Sequence, residues 1–171
     1  DIWPKLIEEG FIPESDPVKT LFLSERAVTL TDMIGRCKGA VNNWAMAAPL
    51  VWAHPLLKGV ALLLEAVTGV PYTEWELEEA SDRVYLLEMA FNAMQGTRRK
   101  DDRFPVRWDL AGSDWAAEES RKHEAMLDAY YSLRGCDPVT GVPQREALEK
   151  LGLGFAAEGL DVSLDYSMEN D

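Results

Sequence analysis

Cys37 closes the segment Asp32-Met33-Ile34-Gly35-Arg36-Cys37, in a chain with only one other cysteine, Cys136. A carboxylate at Asp32 can accept hydrogen bonds from a donor-rich heterocycle. Gly35 lacks a Cβ and lets backbone come close to a large ligand, and a thiolate at Cys37 can hold iron. The same residues have a plain structural reading: Cys37 as a small buried hydrophobe, Asp32 as a cap or turn residue, Gly35 as a helix C-cap. D-x-x-G-x-C arises by chance in many chains, so the hexapeptide alone favours the plain reading. The two histidines, His54 and His123, stand far apart, outside any H-x-x-x-H or H-x-x-E-H spacing, and a self-contained zinc site is not expected. Two cysteines are also too few for a disulfide framework.

Composition narrows the partners. The chain has 171 residues, 47% of them hydrophobic, which is ample for a core and fits a single domain over residues 1–171. A net charge of −13 argues against nucleic acid and anionic lipid, because phosphate recognition needs clustered Lys and Arg. The longest apolar stretch, Ala45 to Leu64, is interrupted by Pro49, His54, Pro55 and Lys58, so no membrane span is expected and a cytoplasmic protein fits best. The chain opens on Asp1-Ile2-Trp3-Pro4 without a basic leader or initiator Met, which reads as the middle of a longer polypeptide.

The elements that would position these residues read as helices. Residues 1–17 form an irregular, Pro-rich lead-in, with Pro4, Pro13 and Pro17 as breakers. Apolar spacing from Val18 to Leu30 favours a helix over a strand, and Gly35 and Gly39 mark a turn after it. Ala40–Ala48 reads as a short helix, and Leu56–Thr68 as an apolar helix stopped by Gly69. Thr73 with Glu76 makes a capping box that starts a helix with the stripe Leu77, Ala80, Val84, Leu87, Phe91 and Met94, ended by Gly96. Arg98–Arg103 is a charged loop, read as a solvated turn whose charges pair locally rather than as a steering patch for anions. Glu118–Leu133 is a helix with Met126, Leu127, Tyr130 and Leu133 facing inward. Pro143 opens a last helix carrying Ala147, Leu148 and Leu151 and ending at Gly152. Residues 154–171 read as an acidic tail, strand-like or frayed. Cys136, the tryptophans and Tyr130/Tyr131 read as packing residues. The expected fold class is all-α, an irregular helical bundle.

Three segments in order resemble the tungsten-containing aldehyde:ferredoxin oxidoreductases. Asp32–Cys37 resembles their D-x-x-G-L-C motif. Ala66-Val67-Thr68-Gly69-Val70-Pro71-Tyr72-Thr73, continuing through Phe91-Asn92, Gly96 and Arg99-Lys100-Asp101-Asp102 to Pro105, resembles their "A-V-T-G-x-x-Y-T" and "F-N…G…R-K-D-D…P" run. Tyr130-Tyr131-Ser132-Leu133-Arg134-Gly135-Cys136-Asp137, with Gly141-Val142-Pro143 and Leu151-Gly152-Leu153, resembles their closing "Y-Y-x-L-R-G-W-D…G-x-P…L-G-L". The resemblance covers about residues 18–153 and implies the C-terminal helical domain of a larger tungstopterin oxidoreductase.

It implies much more than composition does. Asp32 would accept hydrogen bonds from a pterin, Gly35 would let the backbone approach it, and Arg36 and Lys38 would flank it through backbone groups. Cys37 would be the fourth ligand of a [4Fe–4S] cluster and an electron conduit beside the pterin. The family's other three cluster ligands lie in a C-x-x-C-x-x-x-C motif that this sequence lacks. The isolated chain would then bind neither cluster nor tungstopterin (tungsten or molybdenum), and would be inactive alone. The implied partners are the rest of the enzyme and ferredoxin or a similar electron carrier, in a homo- or hetero-oligomer. The implied reaction interconverts aldehyde and carboxylate, or a related acid or acyl-CoA. Arg36 in place of Leu, Cys136 in place of Trp and Gln95 in place of Glu depart from the pattern and leave the substrate open. A stand-alone helical interaction module without cofactor is the alternative from a different class.

Overall fold

The computed structural model describes residues 16–35, 55–103 and 114–168. Arg36, Cys37 and Lys38 lie outside these, as do Gly39, the Ala40–Ala48 helix and most of the Pro-rich lead-in. The fold is all-α. Its described helices are α1 (Pro17–Met33), α2 (Pro55–Thr68), α3 (Glu74–Met94), α4 (Asp114–Arg134), α5 (Arg145–Lys150) and α6 (Gly154–Met168), with a 3₁₀ turn at Arg99–Asp101. Among the described residues there is no strand; one isolated antiparallel bridge joins Cys136 and Pro143. The chain divides into two compact units, Asp1–Tyr85 and Leu86–Asp171.

In the first unit, Pro17 starts a helix instead of breaking one. Asp16 is the N-cap, its Oδ1 accepting from the N–H groups of Val18 and Lys19 at 3.1 Å each. Proline is tolerated at the first helical position because its missing N–H would have had no intrahelical partner. The expected capping box is present at α3: Thr73 N–H donates to Glu76 Oε2 at 2.7 Å, and Glu76 N–H to Thr73 Oγ1 at 3.2 Å. These bonds to the charged form hold the Glu76 carboxyl below its ordinary pKa. Leu30, Leu57, Val60, Ala61 and Leu77 form the core that joins α1, α2 and α3, with Ile34 and Leu64 packed against it. Each large side chain buried there stabilises by roughly 1.5–3 kcal/mol.

The second unit departs from the sequence reading in four places. Its part of α3 buries Leu86, Ala90 and Ala93, while Phe91 is 58% exposed. The buried row is displaced by one residue from the expected Leu87–Phe91–Met94 row, about 100° around the helix. Among the described side chains of α4, Tyr130, Tyr131 and Arg134 are buried, and Met126 and Leu133 are exposed. Beyond Gly154 the chain is helical to Met168, not strand-like. Ala156, Ala157 and Leu160 are buried there, and a Cβ on Gly159 would stand 3.2 Å from Met94 Sδ. Gly159 is therefore a point of close approach. Pro143 precedes the N-cap of α5, Gln144, rather than opening the helix. In the first unit, Trp75 is 68% exposed, against the expectation that the tryptophans are core.

Two glycines separate backbone strain from crowding. Gly135 (φ +71°) and Gly152 (φ +73°) are both left-handed, but only at Gly135 would a Cβ collide, 2.6 Å from Ala147 Cβ. Gly152→Ala is expected to cost about 1–2 kcal/mol for the backbone alone. Gly135→Ala should cost a further 1–3 kcal/mol or so from overpacking. Denaturant midpoints of the two variants check this, and equal losses would show that the Ala147 contact yields freely.

Candidate functional site

Asp32 lies exposed in the last turn of α1. The turn closes with Ile34 N–H donating to Leu30 O at 3.1 Å and Gly35 N–H to Asp32 O at 3.0 Å. Gly35 takes φ +69°, and among the described residues no atom lies within 4 Å of where its Cβ would stand. Gly35 thus ends the helix much as the plain reading has it, one residue past the C-cap Ile34, and no described atom closes its side against a ligand. Asp32 is no N-cap; that role belongs to Asp16 at the other end. The helix dipole disfavours a carboxylate at a C-terminus by about 0.3–1 kcal/mol. An exposed acceptor and an open glycine on one turn fit a flat, donor-rich heterocycle. Cys37, the residue on which a metal role depends, falls outside the described residues together with Arg36 and Lys38. Among the described residues no cluster of three or more His, Cys, Asp or Glu could hold a metal ion.

Sequence reasoning missed what anchors α1. Arg26 Nε donates to Asp82 Oδ1 at 3.0 Å, Nη2 to Asp82 Oδ2 at 2.5 Å, and Nη1 to Glu78 Oε2 at 3.1 Å. Its guanidinium also covers the Phe22 ring at 4.6 Å. One turn of α3 further on, Tyr85 OH donates to Glu25 Oε1 at 2.7 Å. The available signal was Glu78 and Asp82 at i,i+4, two like charges that destabilise an isolated helix unless a cation bridges them.

A second cluster joins the two downstream motifs. Arg99, with its side chain 16% exposed, pairs with Glu124 Oε2 at 2.7 Å and Asp128 Oδ1 at 2.6 Å. It also donates through Nη1 to Pro138 O at 2.7 Å, and its backbone N–H donates to Thr140 O at 2.8 Å. The bond to Glu124, the largest influence, raises the guanidinium's pKa further. Tyr131 OH donates to the Asp102 carboxylate. Burial above all, and then that bond, drive the phenol's pKa up. Asp137 folds the intervening turn by accepting from the N–H groups of Val139 and Thr140 at 3.0 and 2.7 Å. Gly141 is required where this turn meets the cluster, since a Cβ would lie 3.1 Å from both Arg99 N and Tyr131 Cζ. The charged loop thus pairs partly at long range, where local pairing was expected. Its role is to hold the unit together.

Residues 6–153 match the family described as aldehyde ferredoxin oxidoreductase, domains 2 & 3. No curated protein matches the chain. A solved structure, the active site complex BamBC of benzoyl coenzyme A reductase in complex with 1,5-dienoyl-CoA, matches at 26% identity with a TM-score of 0.47. The match covers 66% of this chain and 16% of that one, so the present chain spans a small part of the structure it matches.

Cys136 is buried and free, in agreement with a packing role. Burial pushes its thiol from the ordinary 9.0 up to about 12. Because the folded value is the higher one, the stability it contributes is complete below pH 9.0 and is lost as pH rises through about 12. Tyr131 adds a loss that begins above its ordinary 10.0. In the folded protein Cys136 is expected to resist iodoacetamide at pH 8 and to react once unfolded, as read by peptide mapping. Cys136→Ala should remove the part of the alkaline stability loss that sets in first and leave the part due to Tyr131.

Proposed function

Because the chain belongs to the aldehyde ferredoxin oxidoreductase family, we propose that it is the C-terminal helical part of a tungstopterin/[4Fe–4S] oxidoreductase. The family match over residues 6–153, which includes the Asp32–Cys37 segment, carries this reading. The exposed Asp32 carboxylate and the open left-handed Gly35 on one turn support it from the structure.

In this reading Asp32 accepts the amino and ring N–H groups of the pterin through charge-assisted hydrogen bonds. Gly35 admits the cofactor against the backbone, and Arg36 and Lys38 flank it through main-chain groups. Cys37 supplies one thiolate to the cluster, whose remaining ligands come from the rest of the enzyme. When bound, the metal and cluster supply the redox chemistry, while the protein sets their position and electrostatics. The reaction class is interconversion of an aldehyde and a carboxylate, or of a related acid or acyl-CoA, in exchange with a ferredoxin-like carrier in the cytoplasm. The isolated chain, with two cysteines, is inactive.

In the full-length enzyme, Cys37→Ser is expected to lower iron content and internal electron transfer. Metal analysis by inductively coupled plasma mass spectrometry and single-turnover reduction read the two effects. Normal iron in that variant would remove Cys37 from the ligand set. A wild-type enzyme free of tungsten, molybdenum and iron would overturn the whole reading.

A further inference from the structure

We propose that Arg26 is a positioning residue for the Asp32 turn: its fork onto Glu78 and Asp82 fixes the register of α1 along α3, and so fixes where the Asp32 carboxylate stands. The inference rests on the reading of Asp32 as a pterin acceptor.

The contacts of α1 differ in how tightly they define its place. Leu30 packs in the apolar core with Leu57, Val60, Ala61 and Leu77. Such contacts hold the helix against its neighbours, but apolar burial is non-directional and resists axial sliding weakly. The Arg26 fork is directional. Nε and Nη2 meet the two oxygens of Asp82 at 3.0 and 2.5 Å, and Nη1 reaches Glu78, one turn back, at 3.1 Å. A planar guanidinium satisfies three such bonds in only one register. With side-chain exposures of 18% for Arg26 and 21% for Asp82, the fork is also partly shielded from water.

The geometry carries this constraint to Asp32. Phe22, Arg26 and Leu30 recur at i,i+4 on one face of α1: the Phe22 ring lies under the Arg26 guanidinium within the helix, Arg26 makes the fork to α3, and Leu30 enters the core. Asp32 follows Arg26 by six residues, about 9 Å along the axis and about 120° away from that face. The face that docks therefore turns the carboxylate outward. A slip of one turn, about 5.4 Å, would carry Asp32 out of hydrogen-bond reach of any fixed ligand. The Tyr85–Glu25 bond at 2.7 Å repeats the tie beside the fork.

The test uses full-length enzyme with three variants: Asp32→Asn, Arg26→Lys and Asp82→Asn. The readouts are pterin released per protein after denaturation, the EPR signature of the pentavalent metal, and helix content by circular dichroism. Asp32→Asn is expected to lower bound pterin with the EPR signal lost in proportion. Arg26→Lys keeps the charge but cannot fork. It should keep its helix content yet weaken pterin retention on dialysis on the order of 10-fold, the scale at which groups behind a ligand act. The remaining EPR signal should shift. Asp82→Asn breaks one arm of the fork and should move the same readouts in the same direction, which carries the test if Arg26→Lys does not accumulate folded. A purely structural Arg26 predicts a lower melting temperature with unchanged pterin retention and EPR signature, and that result overturns the inference alone. Full pterin content in Asp32→Asn overturns both the inference and the reading beneath it.

Discussion

An arginine held by two carboxylates one helical turn apart is the interaction on which each unit depends. In the first unit Arg26 bridges Glu78 and Asp82; in the second Arg99 bridges Glu124 and Asp128. Both acidic pairs stand at i,i+4, where like charges repel and weaken a helix left to itself. A guanidinium drawn from elsewhere in the sequence turns that repulsion into an anchor. Its fork geometry then fixes a register that apolar packing alone would leave loose. In a chain with a net charge of −13, these pairs convert surplus acid into structure, partly shielded on both sides at Arg26 but with exposed carboxylates at Arg99.

The two anchors hold different things. Arg26 docks α1, the helix that ends in Asp32 and Gly35. Arg99 gathers a loop, a helix and a turn that lie far apart in sequence, through Glu124, Pro138 O and Thr140 O. Tyr131, 1% exposed, closes that cluster on Asp102. The "R-K-D-D" and "Y-Y-x-L-R-G-C-D" segments, separate signatures in the sequence, are thus two halves of one structural joint.

Several helix starts and stops were legible because they are local. The Thr73–Glu76 capping box and the glycines at 69, 96 and 152 each do what their type and spacing imply. Buried faces were less legible. Phe91, Met126 and Leu133 fit an apolar stripe and are exposed, because Leu86–Ala90–Ala93 and Tyr130–Tyr131–Arg134 are the rows that are buried. Periodicity says that a helix has an apolar side; the neighbours it meets decide which side. The helix beyond Gly154 was missed because the segment was read by its acidic residues as a tail, whereas it buries Ala156, Ala157 and Leu160, and Gly159 meets Met94 closely.

For the candidate site, sequence alone determined the residue types and their order: an acid, a glycine and a cysteine within six positions, followed by two segments whose order identifies the family. Those are properties of a chain read along its length. The left-handed Gly35 follows from the local turn that ends α1, whereas the outward Asp32 and the arginine that sets the register of its helix were decided by the tertiary structure. The physical reason is that Arg26 lies 52 and 56 residues from the carboxylates it bridges. No local pattern states which cation will fill an acidic pair until folding brings the two helices together.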